Sequence, residues 1–126
     1  RIVNITSAMV KNPHLIMGLS TSARSGLHGL SKALSREVAQ FNITINNLLP
    51  ERIDTDRQTQ ILNFQAKLSD ISYEESRKEL EDSLTAKRMG TVEEFSGICT
   101  FLCSKQAAYI SGQNISVDGG NSTNLI

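Results

Sequence analysis

"GLHGLSKALSREVAQFNITINNLLP", residues 26–50, decides how this chain is read. In its first part Leu27, Leu30, Leu34, Val38 and Phe41 recur at three- and four-residue spacing. That spacing predicts a helix from about Ser22 with one apolar stripe. Gly26, Gly29 and Ala33 lie among the leucines and are small enough to let another helix or a ligand approach. The second part, "ITINNLL" from Ile43 to Leu49, reads as a buried strand that Pro50 stops.

The same alternation extends in both directions. "RIVNIT", Arg1–Thr6, is short, β-branched and apolar, as a strand inside a parallel sheet is. "KNPH" is a turn signal between that strand and the helix. Residues 51–88 have a polar character and form a helical insertion in two parts. "DRQTQILNFQAKLSD" carries Ile61, Leu62, Phe64 and Leu68 as its apolar positions, and "SYEESRKELEDSL" opens on a capping box of Ser72 and Glu75. Two such helices between a strand and the next core element fit a substrate-side lid or a solvated hairpin equally well. Thr91 and Glu94 form a second capping box ahead of "VEEFSGICTFLCSK", in which Phe95, Ile98, Phe101 and Leu102 are expected to face inward. "QNISVDGG" is the last strand and ends in a Gly-Gly turn. The order is that of an α/β protein, the C-terminal part of a doubly wound parallel Rossmann-like sheet. Three strands leave the first one with an exposed apolar edge. We therefore expect residues 1–126 to be the C-terminal portion of a single domain, with its other half upstream of Arg1.

Composition narrows the function. The chain has 126 residues, 39% hydrophobic, with 13 basic and 13 acidic residues and zero formal net charge. A balanced charge offers no electrostatic footprint for nucleic acid or an anionic membrane, and no apolar run reaches the length of a span. Cys99 and Cys103 have no second Cys or His pair to complete a metal site, so they read as buried thiols and point to a reducing, cytoplasmic setting. Four Asn-x-Ser/Thr triplets, at Asn4, Asn42, Asn114 and Asn121, read as chance, since three lie in or beside strands.

"RIVNITS", "GLHGLSKALSREVAQFNITINNLLPERIDTD" and "RMGTVEEFSGICTFLCSKQAAYISGQNISVDGG" together resemble the C-terminal half of the short-chain dehydrogenase/reductases, most closely bacterial 3-oxoacyl-acyl-carrier-protein reductase-like members. The resemblance implies an NAD- or NADP-dependent oxidoreductase acting on a small carbonyl or hydroxyl substrate, assembled as a homodimer or homotetramer. It implies a catalytic Ser7, whose hydroxyl would bind the substrate carbonyl. It also implies a Tyr thirteen residues beyond Ser7 and a Lys four further, where this chain has Ser20 and Arg24. Cofactor contacts fall on Arg24, Pro50, Glu51, Ile53 and Thr55, with Glu51 standing where relatives have glycine and Arg52 beside it. No glycine-rich phosphate loop follows a strand here, and "GLHGL" has the wrong spacing. That loop is expected upstream.

Ser20 and Arg24 divide the chemistry unevenly. A phenol can be tuned toward working pH by a neighbouring cation, whereas an aliphatic hydroxyl is a far weaker acid. Ser20 can still hydrogen-bond an oxyanion or hold a relaying water. Arg24 keeps the permanent charge and a fork of donors for ribose or phosphate, but cannot release a proton. His14 has a suitable intrinsic pKa though its loop position favours solvent. Lys11 and Tyr73 are weaker candidates, and Tyr109 reads as structural. Three readings stay open: an oxidoreductase with an atypical site, a catalytically silent dinucleotide- or ligand-binding protein, and a structural subunit.

Overall fold

The three β-branched runs become three parallel strands. In the computed structural model, which describes residues 1–125, they are β1 (Ile2–Ile5), β2 (Ile45–Pro50) and β3 (Asn114–Val117). Their order is β1-β2-β3, with Ile2 opposite Ile45 and Asn47 opposite Asn114. Parallel neighbours require crossovers, and helices provide them. α1 (Gly18–Val38) joins β1 to β2, while α2 (Asp56–Ser69), α3 (Tyr73–Ser83) and α4 (Val92–Cys103) lie between β2 and β3. Both capping boxes form as the spacing predicts: Ser72 with Glu75 opens α3, and Thr91 with Glu94 opens α4.

Side chains alternate across a sheet, so its two faces can differ in chemistry. α4 covers an apolar face. There Leu48, Leu102 and Ala107 are fully buried, with Val3, Phe95, Ile98 and Ile115 around them. α1 covers the other face, where buried polar side chains stand beside Ile45 and Leu49. Asn4 Nδ2 donates to Asn47 Oδ1 at 2.9 Å and to Ser31 Oγ of α1 at 3.0 Å. Asn47 Nδ2 in turn donates to Asn114 Oδ1 at 2.7 Å. One asparagine from each strand thus forms a ladder across the sheet beneath α1.

That ladder corrects the reading of α1. The residues it buries are Thr21, His28, Ser31 and Ser35, while Leu27, Leu30 and Leu34 are exposed. A leucine in place of Ser31 would take from Asn4 its bond to α1, and the small polar stripe turns inward while the leucines face outward. The helix also starts earlier than expected, at Gly18. β2 is buried from Ile45 to Leu49, yet two of those residues are asparagines. On α4, Phe101 is exposed rather than inward, and Cys103 is exposed while Cys99 is half-buried.

The insertion has a core of its own. Leu62, Leu84 and Met89 are buried together, with Tyr73 and Leu80 packed on them, whereas Phe64 and Leu68 are exposed. Two ties hold it to the loop that follows β2. Ile53 bridges to Gly90, with Asp54 N donating to Gly90 O at 2.8 Å, and Arg77 pairs with Asp54 at 2.6 Å. A Cβ on Gly90 would stand 3.0 Å from Ile53 Cδ1, so the Ile53 side chain packs closely over this crossing.

Candidate active site at the carboxyl edge of the sheet

Parallel strands bring their C-terminal ends to one edge, and a crossover helix starts there, which is where open α/β sheets place ligands. The last β1–β2 rung is Thr6 N to Leu48 O at 2.8 Å. Ser7 then leaves the sheet in an extended conformation (φ −166°, ψ 146°) and its Oγ accepts from Met9 N at 3.2 Å. That bond orients the hydroxyl and leaves its proton available to a carbonyl oxygen.

Ser20 lies in the first turn of α1 and Arg24 one turn on. Arg24 Nη1 donates both to the Ser20 carbonyl, at 3.2 Å, and to Ser20 Oγ. The hydroxyl oxygen is therefore held by a guanidinium while its proton remains free. Among the described residues, Nε and Nη2 of Arg24 have no protein partner, so the fork keeps donors for a ligand.

Pro50 ends β2, and a loop follows it. Glu51 N donates to Val117 O at 3.1 Å, prolonging the ladder toward β3. The Glu51 carboxylate accepts from Asn121 Nδ2 at 2.9 Å, so it is drawn toward the tail after β3. The left-handed residue of this loop is Arg52 (φ 52°), not Glu51. A bulky side chain in place of a glycine at 51 thus carries no backbone strain. Thr55 caps α2, accepting from Gln58 N at 3.4 Å, which again spares the hydroxyl proton. A cleft of about 190 Å³ opens here, bounded by Glu51, Ile53, Arg88, Glu94, Val117 and Asp118. Arg88 grips Glu94 through two bonds of 2.8 and 2.6 Å. This grip, with a backbone bond from Thr91, pulls the Glu94 carboxyl down to about 2.

The structure joins Ser20 directly to Arg24, keeps Ser7 bonded within its own turn, and sets Pro50, Glu51, Ile53 and Thr55 on the neighbouring strand end. The weaker acid candidates fare as follows. His14 is exposed and caps nothing. Tyr73 is committed to the insertion's core, its hydroxyl accepting from Arg77 at 3.3 Å. Tyr109 is fully exposed rather than packed.

One residue escaped the sequence reading. His28 is buried, and its Nε2 lies 2.8 Å from Thr6 Oγ1. Burial and, next, the charge of Lys11 push its pKa down, favouring the neutral ring. The available signal was the stripe Thr21, His28, Ser31, Ser35 at seven-, three- and four-residue steps, hidden by the more obvious leucines.

With this geometry in place, comparison with known proteins is informative. A family model described as Enoyl-(Acyl carrier protein) reductase matches residues 1–122. The chain is 36% identical over 121 residues to NADPH-dependent reductase BacG of Bacillus subtilis (strain 168), covering 96% of this chain and 47% of that protein. It is 32% identical over 120 residues to 3-oxoacyl-[acyl-carrier-protein] reductase FabG of Aquifex aeolicus, covering 95% and 44%. Among solved structures it superposes on L-sorbose reductase from Gluconobacter frateurii, in complex with NADPH and L-sorbose. The TM-score is 0.91 at 26% identity, over 98% of this chain and 48% of that one. The NADPH-dependent reductase YwfH, involved in bacilysin biosynthesis, matches at TM-score 0.89 and 34% identity, over 99% and 48%. The chain spans about half the length of these relatives.

Proposed function

The chain belongs to the short-chain dehydrogenase/reductase family, and on that premise we propose that it is the carboxyl-side portion of an NAD(P)-dependent oxidoreductase. Its substrate is a small carbonyl or hydroxyl compound of the 3-oxoacyl kind, handled by an atypical site. The observation that carries this reading is the Arg24–Ser20 pair. It puts a cation with spare donors and a polarised hydroxyl in the opening turns of the helix that starts at the sheet's carboxyl edge.

The residues present fit the nicotinamide-ribose end of a dinucleotide. The unspent donors of Arg24 suit ribose hydroxyls, Pro50 and Ile53 offer an apolar wall, and the Thr55 hydroxyl can donate to a carboxamide. The phosphate-binding glycine loop belongs, on this proposal, to sequence preceding Arg1. When bound, the cofactor supplies or accepts hydride. Ser7 donates a hydrogen bond to the substrate oxygen, and Ser20, with Arg24 behind it, stabilises negative charge developing there. Ser20 is too weak an acid to be the ultimate proton source, so it holds a water that relays the proton from solvent. The exposed leucines of α1 fit association into a homodimer or homotetramer, and a cytoplasmic setting is consistent with the free thiols.

The test uses the full-length polypeptide with NADPH or NADH and a panel of ketones and alcohols. Turnover that disappears in Ser7→Ala supports the proposal; no oxidation or reduction of cofactor across the panel refutes it. The substitution of Ser for Tyr favours a second reading, a silent dinucleotide-binding protein. Calorimetry would then show cofactor affinity that weakens in Arg24→Ala without any turnover.

A further inference from the structure

We propose that His28 is a positioning residue for Ser7: through Thr6 it locks the end of β1 against α1, and so sets where the Ser7 hydroxyl stands relative to Ser20 and Arg24. This rests on the role given to Ser7 above, but goes beyond the residues the family resemblance implicates.

Thr6 directly follows β1 and is the last residue there held by the sheet. Its N–H and its hydroxyl both reach Leu48 O, at 2.8 and 3.2 Å. With the hydroxyl proton given to Leu48 O, Thr6 Oγ1 is left as an acceptor, and His28 Nε2 at 2.8 Å becomes its donor. On that assignment the ring carries a proton on Nε2. Beyond Thr6 no ladder bond fixes the chain, and Ser7 departs at once into a tight turn.

His28 follows Arg24 and Ser20 at successive i+4 steps along one face of α1. A slide of α1 along β1 would therefore carry Ser20 and Arg24 past Ser7. The other side-chain tie between these two elements, Asn4 to Ser31, lies two residues further back along the strand. The His28–Thr6 bond is nearest the site. A leucine could fill the same space, but an apolar contact tolerates sliding, whereas a buried hydrogen bond selects one register.

The experiment compares His28→Leu, His28→Gln and Thr6→Val in the full-length protein by steady-state kinetics and by hydrogen exchange of the Met9 amide, which reports the Ser7 Oγ bond. Misplacing a reacting group by about an ångström costs up to roughly a hundredfold in rate. His28→Leu is expected to lower kcat by about tenfold or more, leave the dinucleotide KM within about twofold, and speed Met9 exchange. Gln presents a donor at the Nε2 position, so His28→Gln restores both. His28→Leu combined with Thr6→Val should be no worse than Thr6→Val alone, because both remove the His28–Thr6 bond and Thr6→Val removes the Leu48 bond besides. Met9 exchange unchanged in His28→Leu, no rescue by Gln, or losses that multiply would overturn the proposal. Should His28→Leu not fold, the isosteric Thr6→Val carries the same two readouts. If instead Ser7→Ala leaves turnover intact, the catalytic role of Ser7 fails, while Met9 exchange still decides whether His28 positions it.

Discussion

Asn46 and Asn47 are neighbours on β2, 1% and 2% exposed, and each side chain makes two hydrogen bonds. A count of bonds would give their alanine variants equal costs, about 2 kcal/mol at roughly 1 kcal/mol net per bond. The partners left behind make the difference. In Asn47→Ala, Asn4 Nδ2 keeps its bond to Ser31 Oγ, and Asn114 is exposed and takes up water. The total stays near 2 kcal/mol. In Asn46→Ala, the Ile110 carbonyl loses its donor at 2.8 Å and the Gln113 N–H loses its acceptor at 3.1 Å. Both belong to the loop before β3, where Gln113 is exposed and its N–H takes up water but Ile110 is half-buried, so stranding that carbonyl adds about 1 kcal/mol and brings the total to about 3 kcal/mol. Urea unfolding of the full-length protein measures both, with an unchanged m-value required for the comparison. Equal costs within about 0.5 kcal/mol, or the reverse order, would refute the reasoning. Adding Asn114→Ala to Asn47→Ala should cost less than the sum of the two singles, because they share one bond.

Three further outcomes are expected. Leu48→Ala, at a fully buried position between β2 and α4, should destabilise by about 3 kcal/mol in the same unfolding assay. Thr91→Ala removes the acceptor for Glu94 N at the start of α4 and should cost about 1 kcal/mol. His28 has a folded pKa below its unfolded 6.5, so the unfolded state binds more protons between the two values. Its contribution is complete above pH 6.5 and is lost as pH falls through the folded pKa. A stability–pH profile of His28→Gln should be flatter than wild type on the acid side of 6.5, and a parallel profile would count against burial as the cause.

Local chemistry was enough to read the elements of this chain. β-branched runs, two capping boxes and the stop at Pro50 place strands and helix starts because each depends on residues within a few positions of one another. Ser7, Ser20, Arg24 and the Pro50–Thr55 loop were singled out by the family resemblance, and of these the structure bonds Ser20 to Arg24. What α1 buries was settled elsewhere. Its five apolar residues promised an inward stripe, but which stripe turns inward depends on the sheet face it meets. That face carries a polar ladder because Asn4, Asn47 and Asn114, up to 110 positions apart, come into register. For the same reason the partners of His28 and Glu51, Thr6 and Asn121, show only in the folded chain. Sequence patterns report what neighbours in the chain can do; the pairing of buried polar groups depends on partners that only folding brings within hydrogen-bond reach.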